Sequence, residues 1–413
     1  MSTPASLYRN AIDLNRYSNS VARRIINSYN DIIIDAVNQL RTIDELAAPV
    51  KAARLRAILA QLKDSLGTWA GDATEITAAD LQGLALLQAE FVEDQLRRAL
   101  PAGARSAVNT VEISPQFAQS VVTTDPTQIN VVTLSDDLFA AVQGAPQTYS
   151  LTAAKGATIT LPNGQVVQKA FRGIAVDQAE RFAQVVRNGL LTGEPTPAIA
   201  KRLMGTLERS EDRLRFGEPA ITARQRRAAG IKEIVARGGD ATRMVNNQIT
   251  TLVRTSVNQV ANAASQQVYE ANQDITEKYR YVATLDARTS SICAALDGQE
   301  FPYGKGPTPP QHFNCRSTTV PVIDYDALGF TPPPPGKRAS MDGQVSADMS
   351  YGQWLKEQSA ATKAEVLGKE KVPYFDILVE KYGAKDAMAK LVRDDGSELT
   401  LEQLRRRYGA AES

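Results

Sequence analysis

The chain has 413 residues, 43% of them hydrophobic, which is enough to bury a sizeable core in two or three domains. Its 47 Lys and Arg residues nearly balance 46 Asp and Glu residues, which excludes a molecule-wide positive field as the means of binding nucleic acid. The sequence contains no apolar stretch long enough to cross a bilayer and begins without a secretory signal, so we expect no membrane partner.

Residues 1–100 are predicted to form long helices. Apolar residues recur every three or four positions from Leu7 to Leu40, which is the pattern of one face of an amphipathic helix. Pro49 suits the first turn of a second helix, and Thr77 can begin a third that runs to about Leu100. A long amphipathic helix usually has a partner, so we expect these helices to dock on another protein.

Residues 101–170 change in composition to Thr, Val, Pro, Gly and Gln. Short β-like runs occur at Ile129–Leu134 and Thr158–Leu161, and Asn163-Gly164 can supply the positive φ angles of a hairpin turn into Gln165–Val167. The segment is therefore predicted to be a small β-containing insertion.

Helical periodicity resumes after this insertion and is clearest in the last of four predicted helices, at Val176–Leu191, Thr196–Met204, Thr222–Ala236 and Thr242–Ala271. A β-type run follows at Tyr279–Leu285. The proline-rich run from Thr331 to Lys337 is expected to be extended and to act as a linker. Residues 351–407 are predicted to be helical, with Trp354 and Leu404 among the core contacts.

Both cysteines, Cys293 and Cys315, lie close in sequence to the only histidine, His312. Two cysteines and one histidine could supply three ligands to Zn²⁺, with a carboxylate or water completing the site. The usual paired spacing of zinc-binding cysteines is missing, because Ser290 stands three residues before Cys293. A structural zinc ion is therefore one interpretation of this region.

Two other interpretations stay open. In the first, the thiols and His312 form a buried structural knot, and Asp286, Arg288 and Asp297 hold the turns by hydrogen bonds. In the second, Cys293 and Cys315 form a disulfide once a particle leaves the cell. Catalysis fits the region poorly, because a cysteine within Ser-Ile-Cys-Ala-Ala-Leu is expected to be packed, whereas thiol activation needs an open, electropositive setting.

Basic residues outnumber acidic ones between Lys201 and Arg243. A solvated helix face explains this bias without any function. A non-specific contact with DNA phosphates is the alternative, and it would involve Arg224, Arg226 and Arg227.

The ordered motif residues resemble the signature of the phage Mu F-like head-morphogenesis family, also called the SPP1 gene-7-like minor head proteins. They are Asp286, Arg288, Thr289, Cys293, Asp297, Gly298, Pro310, His312, Cys315 and Arg316. The helix with Leu252-Val253-Arg254-Thr255, which leads into these residues, and parts of the tail are also similar, so the resemblance covers roughly Ala220 to Arg407. The family carries a further cysteine at the position of Ser290 and often another near Ser317, and this departure weakens a metal site carried over from it.

The helical and β-type patterns along the chain predict a mainly α fold with a small β component. We expect an N-terminal helical region (1–100), a β-containing insertion (101–170), a helical region with the Mu F-like core (171–330), a proline-rich linker (331–350) and a helical tail (351–413). Asp286, Arg288, Thr289, Asp297, Gly298, Pro310 and Arg316 would then be structural motif residues.

The resemblance also implies a virion protein made in the cytoplasm of the bacterial host. It would be built into the prohead near the portal, with the portal protein, other head proteins and packaged double-stranded DNA as partners, and with no catalytic role. The alternative is an ADP-ribosyltransferase-like effector, for which Arg254-Thr255-Ser256 is the sequence feature, but no Glu-x-Glu partner accompanies it.

Overall fold

The computed structural model describes residues 3–43, 48–115, 166–191, 194–200 and 239–409, apart from residues 327, 335, 394 and 395, and a few isolated positions between 117 and 203. This part of the chain is mainly helical with small antiparallel sheets, which confirms the predicted fold class. The chain divides into two compact units. Unit 1 contains Met1–Arg16, Leu81–Gly164 and Thr255–Ser413, and unit 2 contains Tyr17–Asp80 and Gln165–Arg254.

Two long helices, α1 (Thr3–Arg41) and α2 (Ala48–Ala99), form the N-terminal region. The prediction of separate second and third helices is wrong, because Thr77 lies inside α2. Its hydroxyl donates a hydrogen bond to the Ala73 carbonyl at 2.7 Å, so it bonds to the preceding turn and does not cap a new helix.

The apolar stripe of α1 is buried within the chain. Its buried members include Leu7, Val21, Ile25, Tyr29 and Leu40. The apolar face that we expected to dock on another protein is therefore largely covered by intramolecular packing.

The β-containing insertion is largely outside the described residues, including Ile129–Leu134 and Asn163-Gly164. Two short strands are seen, β1 (Leu151–Thr152) and β2 (Thr158–Ile159), and they pair with each other in antiparallel register. The predicted strand at Gln165–Val167 is wrong, because helix α3 (Val166–Leu191) begins there. Three residues of apparent alternation are too few to separate a strand from a helix.

Unit 2 is organised around the indole ring of Trp69. The ring of Phe171 in α3 meets it edge-on at 5.6 Å between centroids, and the ring of Tyr29 lies 5.4 Å away. The indole N–H donates to the Ile25 carbonyl at 3.2 Å, so the buried polar group is satisfied. Residues 196–200 are also helical, whereas the predicted helix Thr222–Ala236 lies outside the described residues.

Unit 1 contains a three-stranded antiparallel sheet in the order β4–β3–β5, with β3 (Lys278–Val282), β4 (Glu300–Pro302) and β5 (Thr318–Val322). Helix α4 (Gly239–Glu270) precedes the sheet and confirms the clearest helical prediction. It packs on β5, since the Tyr269 hydroxyl donates to the Thr319 carbonyl at 3.2 Å. The short helix α5 (Ser291–Leu296) connects β3 to β4.

The tail is helical, as predicted, with α6 (Tyr351–Lys356), α7 (Ala360–Leu367), α8 (Val372–Tyr382), α9 (Ala384–Ala387) and α10 (Leu401–Tyr408). Trp354 and Leu404 lie in its core. A hairpin of β6 (Lys337–Ser340) and β7 (Gly343–Ser346) precedes it, so the latter part of the predicted linker 331–350 is folded. The other domain boundaries stay predictions. None of the helices among the described residues combines the length and apolar content that a membrane span needs.

Candidate functional site

The structure brings Cys293, His312 and Cys315 together in unit 1. Cys293 lies in the first turn of α5, where its backbone N–H donates to the side chain of Ser290, the N-cap. His312 and Cys315 lie on the loop before β5 and are joined by a hydrogen bond from the Cys315 N–H to the His312 carbonyl at 3.2 Å. The Cys293 sulfur is 3.3 Å from His312 Nε2 and 3.7 Å from the Cys315 sulfur.

The two cysteines of the cluster are enclosed by protein, whereas His312 is only partly buried. Cys293 is 1% exposed and Cys315 is 3% exposed, and both thiols are free. The Tyr281 hydroxyl, which extends from β3, lies 3.2 Å from the Cys293 sulfur. His312 Nδ1 lies 2.8 Å from the Phe313 carbonyl, and because a carbonyl oxygen only accepts, Nδ1 must carry the proton.

The environment separates the protonation behaviour of the two thiols. Burial raises the pKa of Cys293 well above its ordinary value, and the hydrogen bond and charge of Cys315 add to this effect. Burial also acts to raise the pKa of Cys315, but the hydrogen bond with Cys293 and the charge of His312 outweigh it and lower that pKa well below the ordinary value. The pKa of His312 is raised: burial lowers it, but the charge and hydrogen bond of Cys315 prevail.

Asp286 forms a two-pronged ion pair with Arg316, the residue that follows Cys315. The two terminal nitrogens of the Arg316 guanidinium donate to the two carboxylate oxygens of Asp286, at 2.6 and 2.8 Å. The Asp286 carboxylate also accepts from the Arg288 N–H at 3.0 Å and from the Thr289 hydroxyl at 3.2 Å. The side chain of Asp286 thus holds its own turn and the loop that carries Cys315.

Asp297 is the most completely bonded carboxylate of the site. One oxygen accepts from the Ala283 N–H at 2.7 Å and the other accepts from the Tyr351 N–H at 2.6 Å. Both oxygens accept from the guanidinium of Arg338, at 2.9 and 3.1 Å. Arg338 also donates to the carbonyls of Ala283 and Met349. The side chains are 0% and 4% exposed, so this is a buried ion pair with its hydrogen bonds satisfied.

The remaining motif residues serve the backbone. Gly298 has φ +79°, as predicted for the turn that leaves α5, and its N–H donates to the Tyr281 carbonyl at 2.9 Å. Pro310 is buried and follows a cis peptide bond. Arg288 is exposed and contributes its backbone N–H to Asp286. Asp286 and Asp297 bind arginines, so neither completes a ligand set with the cysteines.

Sequence reasoning missed three contributors to the site: Tyr281, Thr255 and Arg338. Tyr279 and Tyr281 are two residues apart in β3 and therefore lie on the same, buried face of the strand. This spacing was a usable sequence signal for a buried strand face. Thr255 in α4 accepts a hydrogen bond from the Asn314 N–H at 3.1 Å and so anchors the loop between His312 and Cys315. Arg338 lies beyond the proline run in a segment with no distinctive pattern. The DNA-contact candidates Arg224, Arg226 and Arg227 lie outside the described residues.

Comparison with known families identifies one match. The family described as phage Mu protein F like protein matches residues 180–320. This match supports a phage Mu F-like assignment for that part of the chain. The assignment indicates a protein of bacteriophage head morphogenesis. No curated protein and no solved structure matches the chain.

The Mu F-like match covers α5, the Cys/His cluster and the sheet as far as Val320 in β5, and it ends before Arg338 and the helical tail. The tail resemblance around residues 351–407 therefore stays a prediction. Within the match, Thr255 and Ser256 of the Arg-Thr-Ser sequence are 5% and 4% exposed. These two residues of α4 are therefore buried and do not line an open cleft.

We predict that the Asp297–Arg338 pair is a major source of stability in unit 1. Asp297→Asn leaves the Arg338 charge buried without its counter-charge, and breaking such a pair costs about 3–5 kcal/mol. The measurement is urea unfolding in a Trp69→Phe background, where the fluorescence of Trp354 reports on this unit. Asp348→Asn is the matched control, because the Arg280–Asp348 pair is exposed and should contribute less than about 1 kcal/mol. Equal losses for the two variants would contradict this prediction.

A second prediction concerns pH. Burial acts to raise the pKa of Asp286, but the hydrogen bonds and charge of Arg316 outweigh it, so the folded-state pKa is lowered. A lowered folded-state pKa stabilises the protein above the unfolded value of about 3.9, and this stability is lost as the pH falls through the folded pKa. The stability gap between the natural chain and Asp286→Asn should therefore be widest near neutral pH and shrink below about pH 4. A gap that stays constant across this range would rule out the ionic contribution.

Proposed function

We propose that the chain is a minor head protein of a tailed bacteriophage, built into the prohead near the portal, with a structural role in head assembly and in DNA packaging or delivery. The observation that carries this proposal is the Mu F-like match over residues 180–320. The portal protein and other head proteins are its proposed partners, and the virion is its proposed location.

The site geometry supports an architectural role. The side chains of Asp286, Asp297 and Arg316 form ion pairs and hydrogen bonds within the fold. Both thiols are enclosed, whereas thiol catalysis needs a nucleophile that a substrate can reach. We therefore propose that the motif maintains the fold and that the chain has no catalytic role.

Composition of the particle provides the direct test. Quantitative mass spectrometry of purified proheads and virions of the phage that encodes the chain should find it at a small fraction of the major capsid protein copy number. Chemical cross-linking of the same proheads should join it to the portal protein. A non-structural phage protein is the control for contamination. Absence from both particles would refute the head role, and cross-links to capsid alone would refute the portal position.

We also propose a non-specific contact with DNA through Arg224, Arg226 and Arg227. Binding to phosphates releases counterions, so the logarithm of the binding constant should fall linearly with the logarithm of salt concentration. Replacing the three arginines with Gln should reduce that slope by about one unit for each phosphate that an arginine no longer neutralises. The matched control is the same replacement at Arg405, Arg406 and Arg407, three exposed residues of α10. The proposal is refuted if the salt dependence of DNA binding changes only when Arg405, Arg406 and Arg407 are replaced.

A further inference from the structure

We infer that Cys293, His312 and Cys315 bind one zinc ion in unit 1. The inference comes from the placement of their ligand atoms, which all lie within 4.8 Å of one another. It is independent of the proposed head role, because a zinc ion that stabilises the fold would be present in the isolated chain as well as in a particle.

The distances match a tetrahedral centre. In a tetrahedral zinc site, thiolate sulfur lies about 2.3 Å and imidazole nitrogen about 2.0 Å from the ion. Two sulfurs on one ion are then about 3.8 Å apart, and a sulfur and a nitrogen are about 3.5 Å apart. The Cys293–Cys315 sulfur separation is 3.7 Å, and Cys293 Sγ lies 3.3 Å from His312 Nε2. These two separations differ from the tetrahedral values by a few tenths of an ångström at most, and the third pair of ligand atoms lies within 4.8 Å.

The imidazole of His312 is oriented for ligation. Its Nδ1–H donates to the Phe313 carbonyl at 2.8 Å, which leaves the Nε2 lone pair on the side of the sulfurs. A metal-binding histidine commonly has its other nitrogen fixed by a carbonyl or carboxylate in this way. The loop itself is fixed by the Asn314 N–H, which donates to Thr255 Oγ1.

The charges also suit a buried ion. Two thiolates neutralise the dication, and the Tyr281 hydroxyl, 3.2 Å from the Cys293 sulfur, can donate to that thiolate. Soft thiolates with an imidazole favour zinc over magnesium or calcium, which take oxygen ligands. Because Asp286 and Asp297 are bound to arginines, the described part of the chain supplies three ligands, and water would take the fourth position.

The experiment uses the full chain purified with reductant and without chelator. Elemental analysis should find about one zinc per chain. After zinc removal, added Co²⁺ should give the visible absorption of a tetrahedral ion and the near-ultraviolet absorption of thiolate-to-cobalt charge transfer. Cys315→Ser should weaken zinc binding more than about ten-fold in a chelator competition. The cobalt spectrum is measured on the natural chain, so the result stands even if this variant fails to fold.

A gain-of-function variant sharpens the test. Ser290 occupies the N-cap three residues before Cys293, so Ser290→Cys creates the Cys-x-x-Cys spacing common in zinc sites and should tighten binding at least about ten-fold. Ser291→Cys is the matched control, because it adds a thiol one position away, where the Ser291 side chain bonds to Glu398, and should leave the affinity unchanged. The inference is overturned if the reduced chain takes up no zinc and shows no thiolate absorption with cobalt.

Discussion

The buried ion pair between Asp297 and Arg338 sets the arrangement of unit 1. Removing both charges from water is costly, and the cost is offset only when every remaining donor and acceptor finds a partner. The partners come from three separate stretches of chain: the end of β3 at Ala283, the hairpin strand β6, and the first residue of α6, Tyr351. Displacing any one of them would leave a charge or a backbone group buried and unpaired. The Mu F-like region and the tail beyond it are therefore locked together.

The position of the Cys/His cluster depends on the Asp297–Arg338 ion pair and on the Asp286–Arg316 ion pair. Asp297 directly follows α5 and fixes that helix against β3, which sets the position of Cys293. On the other side, Arg316 is held by Asp286, and this pair sets the position of Cys315. The two carboxylates near the cluster are thus neutralised by arginines and do not add negative charge to a site that already contains two thiols. A neutral zinc dithiolate is compatible with such surroundings, whereas a ligand set with an additional carboxylate would need one of the two ion pairs to break.

Local sequence signals predicted local structure well. The periodicity of α1 and α4, the Asp297-Gly298 turn and the grouping of Cys293 with His312 and Cys315 could all be read from spacing. Contacts between distant segments could not. No sequence pattern around Arg338 points to Asp297 as its partner. In the same way, the sequence does not show that α6 packs so closely on Ala384 that a Cβ at Gly352 would lie 1.9 Å from the Ala384 carbonyl oxygen. The continuity of α2 through Thr77 was missed for a related reason, since a threonine favours a cap or a helix interior according to which carbonyl its hydroxyl meets.

The charged residues that carry the family resemblance form ion pairs and hydrogen bonds within unit 1. A catalytic constellation leaves a nucleophile or a base within reach of substrate, with its partners held ready behind it. Here the partners are present, but the thiols they surround are 1% and 3% exposed. The ion pairs and hydrogen bonds of the motif residues therefore serve the local fold of unit 1.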